Sequence, residues 1–474
     1  MYVAVAALFI AKNQTIYMNL DAFFNPKSVA VIGASKERGK VGFSILEALK
    51  DGYKGEIYPV NPHEQEIMFL KAYKSVLEIK EAVDLAVVAV PKEAVAKVLK
   101  ECVKKKIPAI VVVTSGYSEA GDKKSEEELL KTVKGSKTRI LGPNCLGIFN
   151  AQSQVDTLFL PKTKLRRPKE GWISFLSQSG AFGSTLLDMI ADQGIGIAKF
   201  VSYGNQAGVK DVEFLEYLGE DEKTKVIVMY MEGVSDGRKF MDIARKISAK
   251  KPLIIFKAGK TEKGSSAATS HTGALAGSYD IYRAAFRQAG IIEAESIEDI
   301  FDFAKALEKQ ATAKGKRIAV VTNGGGFGVI TSDSVIESGL ELAEFSPEAI
   351  GLLKGVLPSY GAVHNPLDLV GDADQERYRG ALEILVKDKN VDGIIVISLF
   401  QTVSLQPSVI DVISEIKNKT QKPIVVCATG GEFTKRCLAD LEKRGIPTYI
   451  TPERAVKGIA ALVRYGEILR ANKK

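Results

Sequence analysis

Short blocks of consecutive apolar residues recur along the chain, each stopped by a turn of small or polar residues and followed by a stretch with helical spacing. The first block, Ser28-Val29-Ala30-Val31-Ile32, breaks at Gly33-Ala34-Ser35 and resumes as a helix over 41–49. Apolar runs at 57–60, 85–90 and 109–113 each lead to a Pro or Gly turn, and 92–100 reads as a helix. The last strand of this set ends in Ile140-Leu141-Gly142-Pro143-Asn144-Cys145. Continuous rather than alternating apolar runs mark strands buried on both faces, and their alternation with helices predicts a parallel sheet.

The pattern restarts twice. After a Pro- and charge-rich joint at 160–170, Trp172-Ile173-Ser174-Phe175-Leu176 leads to the turn Ser177-Gln178-Ser179-Gly180, with strands at 226–231 and 253–256 and a polar helix over 297–309 closing the unit. A linker at 311–316 precedes Arg317-Ile318-Ala319-Val320-Val321, which breaks at Thr322-Asn323-Gly324-Gly325-Gly326; later strands fall at 393–398, 423–427 and 448–450. The expected architecture is α/β, three consecutive doubly wound domains at 18–150, 151–310 and 311–474, with 1–17 as an N-terminal extension.

Composition fits this reading. The 474 residues predict roughly three domains, and 46% hydrophobic with 26% charged residues is ordinary for globular chains. A formal charge of +8 over this length, in short clusters such as Lys104-Lys105-Lys106, reads as solvated surface that at most helps to attract an anionic substrate. It points to neither a nucleic-acid nor a membrane partner. The cysteines Cys102, Cys145, Cys427 and Cys437 lack metal-ligand or disulfide-framework spacing, so no metal site is expected and a reducing, cytoplasmic location is. The apolar run at 2–11 is too short to span a bilayer and lacks the basic flank of a signal peptide.

Candidate chemistry lies in the loops beyond the carboxyl ends of strands, where helix-start N–H groups attract anions. The loop Gly33-Ala34-Ser35-Lys36 carries cations and suits a nucleotide-containing cofactor. A nicotinamide dinucleotide competes on pattern alone, although the second glycine of G-x-G-x-x-G is missing and Val60-Asn61-Pro62 stands where an acidic residue would bind ribose. Ser177, Gln178, Ser179 and Gly180 form a second candidate phosphate loop, and Asn323, Gly324 and Gly325 a third. Most unusual is Ser270-His271-Thr272-Gly273-Ala274, which sets one of only three histidines among small residues. An unprotonated imidazole there can attack phosphorus, given a carboxylate on its other nitrogen. Glu232, at the end of the 226–231 strand, is the candidate. An ordinary N-cap at Ser270 and a surface glutamate are the alternatives.

Together these residues resemble the succinyl-CoA synthetase superfamily, and within it the alpha subunits of ADP-forming acetyl-CoA synthetases. The markers, in order, are Gly33-Ala34-Ser35, Gly142-Pro143-Asn144-Cys145-Leu146-Gly147, Ser177-Gln178-Ser179-Gly180, Glu232-Gly233, Ser270-His271-Thr272-Gly273-Ala274, Asn323-Gly324-Gly325-Gly326 and Asn365-Pro366-Leu367-Asp368. The resemblance implies a Rossmann-like CoA-binding domain followed by two flavodoxin-like ligase domains. It makes His271 a transient phosphohistidine, Glu232 its stabilising carboxylate, and the helix starts at Ser179-Gly180 and Asn323-Gly324-Gly325 the pair that holds phosphate. CoA would contact Gly33, Ala34, Ser35, Lys36, Val90, Pro91, Thr114, Ser115, Gly116 and Asn144.

The implied reaction converts acyl-CoA, phosphate and ADP into carboxylate, CoA and ATP by way of an acyl phosphate and phospho-His271. Two departures from the succinate enzymes matter. Their Gly-Lys pair is replaced by Asn61-Pro62, and Ser184 stands in place of a tyrosine, which favours a small monocarboxylate over a dicarboxylate. The chain carries no ATP-grasp pattern, so Mg-ADP or Mg-ATP is expected on a separate ATP-grasp beta subunit in an α2β2 heterotetramer. A noncatalytic acyl-CoA sensor and a nicotinamide-dependent dehydrogenase remain as alternatives.

Overall fold

The computed structural model describes residues 20–266 and 278–472 and divides into two compact units between Glu293 and Ala294. His271 and its immediate loop, and residues 1–17, lie outside the described residues. Among those described, no helix is long and apolar enough to cross a membrane.

The first unit contains two sheets. One is entirely parallel, in the order Glu56–Val60, Ser28–Ile32, Leu85–Val88, Ala109–Val112, Arg139–Leu141. Its central strands are buried throughout, as continuous apolar runs require. The second sheet is parallel across Leu253–Lys257, Val226–Met231, Glu170–Ser177 and Ile197–Ser202. Gly147–Asn150 then adds antiparallel to Ile197–Ser202. Residues 147–150, the last of the first expected domain, pair with the second sheet, because the chain leaves Leu141 and crosses over before any polar linker marks the change.

A single apolar core runs through both sheets of this unit. Phe24 stacks on Tyr217 with centroids 4.9 Å apart and meets Phe214 edge-on at 6.2 Å. The Asn150 side chain donates to the Phe24 carbonyl at 2.9 Å, so the seam is satisfied in polar terms as well.

The second unit holds a parallel sheet in the order Glu341–Leu342, Arg317–Thr322, Gly393–Ile397, Ile424–Cys427, Thr448–Tyr449, with its own core. Helix Ile297–Lys309, expected to close the preceding unit, packs here against Pro452–Ala471. The reason is electrostatic. Asp302 is fully buried and accepts two bonds from the Arg454 guanidinium, at 2.7 and 2.8 Å, while Lys457 reaches Asp299 at 2.9 Å. Asp299 and Asp302 of this polar helix thus face inward, held by cations more than 150 positions away. Arg454→Met is expected to destabilise this unit by about 3 kcal/mol, since it strands a buried carboxylate. Faster amide exchange in both helices would report it.

Candidate functional site

At the carboxyl end of Glu170–Ser177 the chain turns through Gln178 into helix Gly180–Asp192, with Ser179 as N-cap. The Ser179 hydroxyl accepts from Phe182 N–H at 3.2 Å, leaving the N–H groups of Gly180 and Ala181 without intrahelical acceptors. Both residues line a cavity of about 500 Å³. Its other walls include Ser115, Asn144, Cys145, Leu146, Phe159, Leu160, Gln178, Ser184 and Asn205. Residues expected at CoA and residues expected at phosphate therefore share one cavity within the first unit.

The glycine loop of the first sheet has the geometry for a close ligand approach. Gly33 has φ +89°, and a Cβ there would sit 2.4 Å from the Ala89 carbonyl oxygen, so no side chain is admissible. Ser35 closes the turn by accepting from Glu37 N–H at 3.0 Å. Lys36 stands exposed in an ion pair with Glu64 at 2.8 Å, a contact weak enough to yield to a phosphate. Asn61, at the end of the second strand, donates its amide to the Ala34 carbonyl at 2.8 Å and braces the loop, where a dinucleotide fold would offer a carboxylate to ribose. Thr114 donates to the carbonyl of Val90 at 2.8 Å and its own carbonyl accepts from Asn144 N–H at 3.0 Å. The expected CoA residues Val90, Thr114 and Asn144 are thus chained together. Pro91 is exposed beside them, and Gly116, with φ +99°, donates its N–H to the Glu119 carboxylate.

The second candidate loop divides its labour. Ser177 is fully buried and its hydroxyl donates to the Ser179 carbonyl at 2.6 Å, so it shapes the turn instead of offering that donor to a ligand. Gln178 Oε1 accepts from Glu232 N–H at 2.8 Å and Gly233 N–H at 3.3 Å, which leaves its NH₂ group for an anion. Glu232 itself is half-buried directly beyond Val226–Met231 and accepts from the Tyr230 hydroxyl at 3.2 Å. Burial and the neighbouring Glu232 charge push the Tyr230 phenol well above its usual range, so it remains a donor. Tyr230 is held by stacking on Phe182, at 4.0 Å between centroids.

In the second unit, helix Gly325–Glu337 begins at the third candidate loop. The Asn323 side chain is buried and its oxygen accepts from Tyr378 Oη at 2.9 Å and Leu399 N–H at 2.8 Å, so its carbonyl group is structural. A Cβ on Gly325 would come within 2.8 Å of Asp368 Oδ2; an anion at Gly324 and Gly325 would share that helix start with a carboxylate. Among the described residues no group of three or more His, Cys, Asp or Glu is arranged to hold a metal ion.

Three contributors escaped sequence reasoning. Asn205 accepts from the Asn144 amide at 3.1 Å and donates to Ser118 Oγ at 3.0 Å. Phe159 and Leu160 supply apolar wall from what reads as a joint. Lys257 is buried at a strand end beside Glu232. Only the strand-to-joint pattern around Phe159 offered any sequence signal, because the others acquire partners through distant chain segments.

The chain matches three family models: a CoA binding domain over residues 27–151, a succinyl-CoA ligase like flavodoxin domain over 170–307 and a ligase-CoA domain over 318–470. It is 43% identical to acetate–CoA ligase [ADP-forming] I of Archaeoglobus fulgidus, covering 95% of this chain and 64% of that protein. It is 41% identical to the alpha subunit of acetate–CoA ligase [ADP-forming] I of Pyrococcus furiosus, over 95% of this chain and 98% of that one. A solved structure of dinucleotide-forming acetyl-coenzyme A synthetase 1 from Ca. Korarchaeum cryptofilum, in complex with phosphate and ADP, superposes with a TM-score of 0.90 at 38% identity, covering 96% of this chain and 99% of that one.

Cys145 lines the cavity, yet burial pushes its thiol up to about 12, so it is no nucleophile at neutral pH. Iodoacetamide at pH 8 is expected to leave Cys145 unmodified in the folded chain and to label it after denaturation, as peptide mass spectrometry would read.

Proposed function

This chain belongs to the ADP-forming acetate–CoA ligase family, and from that premise we propose that it is the CoA-binding, phosphohistidine-carrying subunit of an ADP-forming acyl-CoA synthetase. The observation that carries the reading is the single cavity lined both by Ser115 and Asn144, from the CoA side, and by Gln178, Ser179 and Gly180, from the phosphate side. A thioester carbonyl and an inorganic phosphate brought to that cavity would be within bonding reach of each other.

The chemistry runs in three balanced steps. A phosphate oxygen attacks the thioester carbonyl, the C–S bond breaks, and acyl phosphate and CoA thiolate result. An imidazole nitrogen of His271 then attacks phosphorus, the P–O bond to the acyl group breaks, and the carboxylate leaves. Finally the phosphoryl group passes to ADP and His271 is restored. The N–H groups at Gly180 and Ala181 and the helix dipole behind them counter the charge on phosphate, and Glu232 supports the positive charge that develops on the imidazole. Gly324 and Gly325 would serve at a second phosphate position. The nucleotide, with its magnesium ion, would sit on an ATP-grasp beta subunit in an α2β2 assembly, in keeping with the alpha-subunit name of the Pyrococcus furiosus relative. A cytoplasmic setting suits these soluble substrates.

Incubation with acetyl-CoA and radiolabelled phosphate is expected to give an acid-labile, base-stable phosphoprotein. His271→Ala should abolish the label; retention of label in that variant would overturn the assignment. A noncatalytic acyl-CoA sensor would bind CoA and take no label from either protein.

Among the described residues, the cavity lining contains no Asp, Glu, Lys, Arg or His. A second carboxylate on the acyl chain would lose its hydration there without gaining a partner, at a cost of ~3 kcal/mol or more. Succinyl-CoA is therefore expected to show a kcat/KM lower than that of acetyl-CoA by about 100-fold, measured as CoA release with the complete enzyme.

A further inference from the structure

Lys257 ends the strand Leu253–Lys257 and is 4% exposed. Its ammonium donates to the Glu232 carbonyl at 2.7 Å and to the Ala258 carbonyl, and it lies 4.7 Å from the centroid of the Tyr282 ring. The register pairs Met231 with Lys257, so Glu232 and Ala258 are the first residues beyond two adjacent parallel strands. Ala258 N–H also donates to the Met231 carbonyl at 3.0 Å. The lysine is therefore a cross-tie between two strand ends, placed where one of them delivers Glu232.

Seen from Glu232, its backbone is gripped on both sides. Its N–H goes to Gln178 Oε1 at 2.8 Å, and its carbonyl goes to Lys257 Nζ. A methionine would fill the position of Lys257 without the desolvation cost of a buried ammonium. Burial does press the lysine toward its neutral form, and the Glu232 charge opposes that pressure. The two carbonyls and the ring supply the rest of the compensation.

We propose that Lys257 is a positioning residue for Glu232: by holding the Glu232 carbonyl and standing as a fixed positive charge beside it, it sets the carboxylate where the phosphorylated imidazole needs it. This rests on the role proposed for Glu232 and goes beyond it by naming what aims that carboxylate.

The test follows the initial rate of phosphoprotein formation in the full chain, from acetyl-CoA and radiolabelled phosphate, in wild type, Lys257→Met, Glu232→Gln and the double variant. Lys257→Met should slow labelling by about 10- to 100-fold, the range for losing a group that aims a reactive one. The KM for acetyl-CoA should stay unchanged, and Lys257→Arg should recover part of the rate. In the Glu232→Gln background, Lys257→Met should cause no further loss, because the lysine acts through the carboxylate. If Lys257→Met fails to fold by circular dichroism, Lys257→Gln keeps a donor for the carbonyls, removes the charge and gives the same comparison. Labelling of Lys257→Met at the wild-type rate, or losses that multiply in the double variant, would overturn the proposal and leave the phosphohistidine reading standing. A wild-type chain that takes no label would overturn both.

Discussion

The site depends on the apolar seam that makes the two sheets of the first unit one body. Phe24 packed against Phe214 and Tyr217 is the centre of that seam, and the core continues from it into both sheets. Burial of three large aromatic rings contributes several kcal/mol. Its consequence is geometric: the loops of the first sheet and the Ser179 helix start of the second face one cavity because their sheets cannot slide apart. Phosphoryl transfer asks mainly for positioning and charge stabilisation, and a rigid seam is what provides positioning.

Within that frame the parallel strands act as delivery rods. The strands ending at Ser177, Met231 and Lys257 run side by side and release Gln178, Glu232 and Ala258 at the same edge. Two side chains at that edge fix the others: Gln178 holds the Glu232 and Gly233 N–H groups, and Lys257 holds the Glu232 and Ala258 carbonyls. The carboxylate is a side chain on a backbone that has few ways to move. The Ser179 helix start beside it keeps two N–H groups open because Ser179 itself satisfies only the third.

Buried charge recurs in the second unit with a different outcome. Asp302 and Arg454 pair carboxylate to guanidinium and hold two helices together. Lys257 differs in bonding to backbone at two adjacent strand ends. The same physics, a charge kept in a poor dielectric by its partners, braces two helices in one place and ties two strand ends in the other.

The alternation of apolar runs and helices determined the α/β class, the parallel sheets and the identity of the strand ends, because a strand buried on both faces leaves a continuous apolar signature. Gly33 and Ser179 were legible for the same kind of local reason: a turn that admits no side chain and an N-cap each restrict the residue that can stand there. Tertiary structure alone decided that residues 147–150 join the second sheet, that helix Ile297–Lys309 turns its acids inward, and that Ser177 and Asn323 spend side-chain bonds on the fold. It also decided that Asn205 lines the cavity and that Lys257 bonds to the Glu232 carbonyl. Apart from the Ser177 bond, these outcomes depend on partners 25 to 158 positions away, and a hydrogen bond or ion pair across such a span leaves no periodicity in the chain from which it could be read.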